Sequence, residues 1–140
     1  PGCPNIIERI EGGLFSYGNE ITRENNPLEM GLDKYCSLNG EIDYIGREAL
    51  EKIAKDGVTQ KLQGIVFGGS KCPICSRPWP LILNGKIIGQ ITSAMYSPRK
   101  KANVSIGMVK RKYWGYDNEI TVDCLDGEIR KGKISTFPIN

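Results

Sequence analysis

The residues best suited to chemistry in this chain are a cysteine pair, an arginine beside a glycine break, and a few isolated tyrosines. Cys72-Pro73-Ile74-Cys75 has the spacing of two zinc ligands or of a redox pair. A structural zinc site needs two further ligands. Only Cys3, Cys36 and Cys124 remain, there is no second Cys-x-x-Cys, and histidine is absent. The redox reading requires a strand–helix–strand context that the surrounding pattern does not supply. The pair therefore reads as two loop thiols, with no metal assigned. Absence of histidine also removes the usual general base. It excludes a Ser-His-Asp or Cys-His mechanism built from these residues alone.

Arg9 and Glu11 precede Gly12-Gly13. At i and i+2 they do not face each other on a helix, so spacing alone reads them as a solvent-facing pair. The sharper reading places one of them in a cleft at the glycine break. There the backbone approaches closely and a fork of N–H donors suits an anionic or amide-rich ligand. Tyr17, beside Gly18, could stack on a flat ring or simply pack. The aromatic sites at Trp79 and at Tyr113-Trp114-Gly115-Tyr116 read as loop residues covering a sheet edge, with a partner surface as the alternative.

The elements that must position these groups come in two textures. Asn5 caps a short helix over Ile6–Ile10, with Ile6, Ile7 and Ile10 on one face. Gly12-Gly13 ends it. Leu14–Tyr17 is extended, and Asn19–Pro27 is a polar surface loop. Gly31–Ser37 reads as a strand. Behind Gly46 a helix runs from Arg47 to Lys55, burying Ala49, Leu50 and Ile53, and Asp56-Gly57 closes it. From Thr59 onward short apolar runs alternate with turns: Lys61–Phe67, Leu81–Leu83, Ile87–Thr92, Asn103–Val109, Glu119–Leu125 and Lys131–Phe137. Asn84-Gly85 and Asp126-Gly127 are hairpin signals. The fold class is thus an α+β N-terminal segment, residues 1–57, followed by an antiparallel all-β barrel domain, residues 58–140.

Composition narrows the function classes. The chain has 140 residues, 39% hydrophobic and 25% charged, with a net charge of +3. That charge is too mild to argue for nucleic acid. Arg99-Lys100-Lys101 and Lys110-Arg111-Lys112 read as solvated strand ends. No apolar run approaches the roughly 20 residues that span a bilayer, and no leader pattern opens the chain. Five cysteines at irregular spacing are not a disulfide framework, which suits a cytoplasmic protein. The start at Pro1 reads as an excised piece or a processed end.

Three motifs carry a family resemblance. Arg9-Ile10-Glu11-Gly12-Gly13-Leu14-Phe15-Ser16-Tyr17-Gly18 resembles Arg-Leu-Glu-Ala-Gly-Leu-x-x-Tyr-Gly. Pro27-Leu28-Glu29-Met30-Gly31-Leu32 resembles Pro-x-Glu-x-Gly-Leu. Gly89–Pro98 resembles Gly-x-Val-Thr-Ser-Gly-x-x-Ser-Pro, with Ala94 in the place of the last glycine. These are motifs of the folate-dependent aminomethyltransferases, the T-protein family of glycine cleavage. Ile42–Leu50 and Phe137-Pro138 fit the same pattern. The resemblance implies a C-terminal part of a three-lobed enzyme around a tetrahydrofolate pocket, packed against a missing N-terminal portion. It places Arg9 on the folate, with Tyr17 and Tyr44 bordering the same pocket. It assigns no catalytic residue here, because the family's catalytic aspartate belongs to the N-terminal portion. Ser16–Pro27, Trp79-Pro80 and Tyr96-Ser97-Pro98-Arg99 resemble the dimethylsulfoniopropionate demethylase branch, which passes a sulfonium methyl group to tetrahydrofolate. The implied partners are folate and a small methyl donor, and the fragment alone is expected to be inactive. The rival readings are a glycine-cleavage aminomethyltransferase, a non-catalytic β-barrel binding module, and a zinc ribbon centred on Cys72 and Cys75.

Overall fold

A computed structural model describes residues 5–115 and 119–139. Cys3 and Tyr116 lie outside the described residues. The chain runs α1 (Ile6–Glu11), α2 (Arg47–Asp56), β1 (Gln60–Phe67), β2 (Trp79–Leu83), β3 (Lys86–Ser97), β4 (Ala102–Lys110), β5 (Glu119–Asp123) and β6 (Ile129–Ser135). Short 3-10 turns occupy Asp33–Tyr35 and Arg111–Tyr113. The six strands close into an antiparallel barrel in the order β1-β4-β3-β2-β5-β6, with β6 returning to β1. Closure leaves no free sheet edge.

Strand alternation separates two apolar cores. Ile65, Phe67, Leu81, Ile88, Ile91, Val109, Val122 and Ile134 belong to one cluster, the barrel core. Val104, Ile106 and Met108 of β4, at every second position, join a second cluster with Leu62 of β1, Ile10 of α1, Met30 and Ile139. So β4 is buried on both faces, and the N-terminal segment lies against its outer one. That is why its sequence, Ala102–Lys110, shows no polar face except for Asn103 and Ser105. Ser105 resolves its own burial by donating to the Ile65 carbonyl at 3.1 Å.

The C-terminal tail stitches the two cores together. It crosses β1 at Gly64, where an added Cβ would lie 2.5 Å from the Thr136 carbonyl and 2.7 Å from Ile139. Beyond that crossing, the Ile139 amide donates to the Glu11 carbonyl at 3.0 Å. Phe137 stacks on Phe15 with ring centroids 5.9 Å apart.

Two buried polar side chains fasten the long β1–β2 loop to the barrel. Asn103 accepts from the Cys72 amide at 2.8 Å and donates to the Gly68 and Ser70 carbonyls. Arg130 forks onto both Asp126 oxygens at 3.0 and 2.8 Å, reaches Glu128 at 3.0 Å, and donates to Ser70. The Arg130 hydrogen bond holds the Asp126 carboxyl down at about 2. The loop then lays Cys72 and Cys75 against the barrel core beside the buried Cys124.

Several expectations are corrected. Gly31–Ser37 is a turn with a 3-10 segment, since Gly31 takes φ 71° and no strand lies beside it to pair. Trp79 is a buried residue of β2, not a loop aromatic, because β2 begins there and pairs Trp79 with Ile91. Trp114 is partly buried and donates its indole N–H to the Val109 carbonyl at 2.7 Å. The α2 stripe is not buried: Ala49 is exposed, and Leu50 and Ile53 are half-buried. Gly12 is a helical cap, and it is Gly13 that takes the left-handed conformation at φ 71°. The Asn84-Gly85 turn has positive φ at both positions, as a two-residue hairpin demands, whereas Asp126-Gly127 sits in the longer loop 124–128.

Two measurements check this architecture. Gly64→Ala forces the tail off β1 and lowers the unfolding free energy by about 1–3 kcal/mol in urea titrations. Asp126 has a depressed folded-state pKa, so its contribution is present above about pH 4 and lost as pH falls toward its value of about 2. Asp126→Asn therefore flattens the fall of the urea midpoint between about pH 4 and 2, and leaves the slope above pH 5 unchanged.

Candidate functional site

The Arg9 side chain lies in the seam between α1 and the barrel, 16% exposed, against the fully buried carboxylate of Glu20. The capping box of Asn5 and Glu8 fixes the start of α1 and hence the phase at which Arg9 emerges. Its guanidinium donates to Glu20 Oε2 at 2.9 Å, to the Leu14 carbonyl at 3.0 Å and to Ser93 Oγ at 2.7 Å. Three of the five guanidinium N–H groups are thus engaged within the described residues.

Glu20 is saturated. It accepts from Arg9, from the Ser16 amide at 2.8 Å, from Thr92 Oγ1 at 3.3 Å and from Ser93 Oγ. A carboxylate so placed orients its neighbours. The two hydroxyls reach it because of a bulge in β3. Ile91 pairs with Gly107 and Ser93 with Ile106, which leaves Thr92 as an extra residue. Consecutive strand residues normally point to opposite faces, and the bulge turns Thr92 and Ser93 to the same carboxylate.

A second polar junction follows along the same seam. Glu11, nearly buried, accepts from Ser97 Oγ at 2.6 Å and pairs with Arg99. The Ser97 hydroxyl, and after it the Arg99 guanidinium, hold the Glu11 carboxyl below its ordinary value against the opposing effect of burial. Arg9 and Glu11 are therefore not a solvent-facing pair. Each is drawn inward to a different partner on β3 or the loop.

A cavity of about 340 Å³ adjoins Glu20, with Asn19, Gln60, Gln90 and Thr92 in its wall. A larger one of about 760 Å³ opens at the Glu11–Arg99 end. Arg9, Tyr17 and Tyr44 line neither. Tyr17 stands on the loop that wraps Glu20 and is 75% exposed. Tyr44 is half-buried, its hydroxyl shut from solvent and without a hydrogen-bond partner among the described residues. The structure thus brings Arg9 to the loop carrying Tyr17, and no hydrogen bond among the described residues joins Tyr44 to either.

The three thiols at the barrel core do not offer a nucleophile. Burial pushes Cys75 up to about 12 and Cys124 to about 11, and raises Cys72. All three stay protonated near neutrality, where the thiol is a poor nucleophile. Among the described residues no group of three or more Cys, Asp or Glu is placed to hold a metal ion.

Sequence reasoning missed Glu20, Thr92, Ser93, Asn103 and Arg130. Glu20 sits in a stretch that reads as a polar surface loop, and nothing local marks it as buried. The bulge at Thr92 leaves no signature in strand periodicity.

Residues 60–139 match the glycine cleavage T-protein C-terminal barrel domain. The chain belongs to this family. Among its relatives, a dimethylsulfoniopropionate demethylase of Ruegeria pomeroyi is 48% identical over 126 residues, covering 90% of this chain and 34% of that protein. An aminomethyltransferase of Listeria innocua is 34% identical over 128 residues, covering 91% and 35%. The T-protein barrel also matches in shape. The glycine cleavage aminomethyltransferase T of Bartonella henselae superposes with a TM-score of 0.81 at 22% identity, over 93% of this chain and 36% of that one. The chain spans about a third of the length of the curated relatives it matches.

In this T-protein barrel, Arg9 has a structural role that can be measured. Arg9→Ala leaves the Glu20 carboxylate buried without its counter-ion, and lowers the unfolding free energy by about 3–5 kcal/mol. Arg9→Lys keeps the charge but loses the fork, and costs about 1 kcal/mol. Equal urea midpoints for wild type and Arg9→Ala would show that the pair contributes nothing.

Proposed function

We propose that the chain is the C-terminal portion of a tetrahydrofolate-dependent methyltransferase acting on a sulfonium donor of the dimethylsulfoniopropionate kind, working in the reducing cytoplasm. The observation that carries the reading is the 48% identity to a dimethylsulfoniopropionate demethylase, against 34% and 32% for two aminomethyltransferases. Free thiols at Cys36, Cys72, Cys75 and Cys124 suit that compartment.

Whether the residues fit a folate is tested by the donors left over. Arg9 is held on three sides and keeps two N–H groups unengaged, a fixed fork for a carboxylate or amide edge. The exposed Tyr17 ring offers a flat face on the same loop. Tyr44 supplies a second, half-buried ring. These three residues would bind and orient the cofactor. When bound, tetrahydrofolate supplies the nitrogen that accepts the one-carbon unit. Glu20, Thr92 and Ser93 act through Arg9 by fixing its rotamer, a contribution to proximity and not to proton transfer. No residue of this portion is cast as acid, base or nucleophile, so the 140-residue chain by itself turns over nothing.

The glycine-cleavage reading rests on the barrel shape shared with the Bartonella protein and on the aminomethyltransferase relatives. Substrate separates the two. The protein of the complete reading frame is expected to demethylate dimethylsulfoniopropionate only with tetrahydrofolate present. Because Arg9→Ala also unfolds the seam, binding is tested with Arg9→Lys and Tyr17→Ala. Calorimetry with tetrahydrofolate is expected to show weakening of about 10–100-fold for the first, and about 10-fold for the second. Unchanged affinity in both variants would refute the folate assignment. Aminomethyl transfer without demethylation would select the alternative.

A further inference from the structure

Asparagine followed by glycine is the dipeptide most prone to spontaneous ring closure, and it occurs twice, at Asn39-Gly40 and Asn84-Gly85. The glycine amide nitrogen attacks the side-chain carbonyl carbon of the asparagine. Glycine permits this best, because no β-carbon shields its nitrogen. Both asparagines are exposed, so burial does not separate the two sites. Backbone geometry does.

Asn84-Gly85 is the two-residue turn between β2 and β3, with Leu83 paired to Lys86 across it. Asn84 takes φ 50° and Gly85 φ 73°, the left-handed pair that such a hairpin requires. In the left-handed region ψ lies at about +47°. At that ψ the next nitrogen stands nearly opposite the Cβ about the Cα–C bond. Nucleophile and Cγ are then held apart, outside the roughly 3–3.5 Å at which reacting atoms must meet. Turning ψ to bring them together would break the Leu83–Lys86 pairing of a closed barrel.

Asn39-Gly40 has no such restraint. It lies between the 3-10 segment Asp33–Tyr35 and α2, outside every strand. Neither residue takes a positive φ. On one side the Leu38 amide donates to the Cys36 carbonyl at 2.8 Å. On the other, Arg47 donates to the Ile42 carbonyl at 3.0 Å. Between these anchors Asn39, Gly40 and Glu41 make no hydrogen bond among the described residues. The Gly40 nitrogen is therefore uncommitted, and nothing ties the Asn39 amide away from it. A β-carbon at Gly40 would fall on the Ser37 hydroxyl, so local packing keeps a glycine at the attacking position.

We propose that Asn39 is a covalent modification site that converts without an enzyme, while Asn84 is spared as long as the barrel is folded. Base takes the proton of the Gly40 amide. The nitrogen bonds to Cγ of Asn39, the bond from Cγ to the side-chain nitrogen breaks, and ammonia leaves a five-membered succinimide. Water then opens the ring at either carbonyl and gives an α-linked or a β-linked aspartyl residue. No oxidant or reductant takes part. Either product adds one negative charge to the loop, and the β-linked form lengthens the backbone by one methylene. The site does not depend on the folate reading.

The 140-residue chain is held in native buffer at pH 6 and at pH 9, and in parallel in urea strong enough to unfold it. Tryptic digestion places Asn39 in the peptide 35–47 and Asn84 in the peptide 72–86, and mass spectrometry reads the change from amide to acid in each. In native buffer Asn39 is expected to convert at least about 10-fold faster than Asn84, because the hairpin must first open. Conversion is expected to be faster at pH 9, and the two sites to convert at similar rates in urea. Gly40→Ala is expected to leave most of Asn39 unconverted over the same interval, and Asn39→Gln to remove the acidic product from peptide 35–47. Equal rates at the two asparagines in native buffer overturn the proposal, as does a rate ratio that persists unchanged in urea. Resistance of Asn39 in native buffer, or an unchanged rate in Gly40→Ala, overturns it as well.

Discussion

The buried pair of Arg9 and Glu20 organises everything on the outer face of the barrel. One carboxylate gathers a guanidinium from α1, an amide from the loop that follows, and two hydroxyls from β3. A charge with no exposure is costly unless opposed and hydrogen-bonded. Here both conditions are met, so three chain segments far apart in sequence are bound to a single position. The rotamer of Arg9 is thereby fixed by three partners.

The same device recurs elsewhere with other residues. Asn103 and Arg130 hold the β1–β2 loop by its backbone, as Glu20 holds the Ser16 amide. Glu11 meets Ser97 and Arg99 one step along the seam. In each case a buried polar side chain of one element satisfies groups of a segment that has no regular pairing. The barrel provides rigidity through its closed ladder, and these tethers transfer it to loops. Cys72, Cys75 and Cys124 lie on or in the barrel core, where burial raises the pKa of each thiol.

Most of the fold was legible in the residues. The six strands begin and end within a few positions of the apolar runs, because alternation and turn glycines are local signals. Asn84-Gly85 could only be a tight turn, given positive φ at both positions. The α2 boundaries were equally plain, with Gly46 before and Gly57 after. Its burial was not. An amphipathic stripe states that a helix has an apolar face and not that the face is covered, and Leu50 and Ile53 are only half-buried. Trp79 was misread for the opposite reason: flanking prolines suggest a loop, yet Pro80 is accommodated within β2, where Trp79 and Leu81 fill the barrel.

By itself the sequence determined the barrel, its turns and the family, all of which depend on residue type and short-range spacing. It did not determine what Arg9 touches. That depended on Glu20 from a polar loop and on a one-residue bulge that brings Thr92 and Ser93 onto one face. Register and burial are properties of chains packed against each other. Hydrogen bonds of Arg9 spanning 11 to 84 residues of sequence are therefore decided only when the barrel closes.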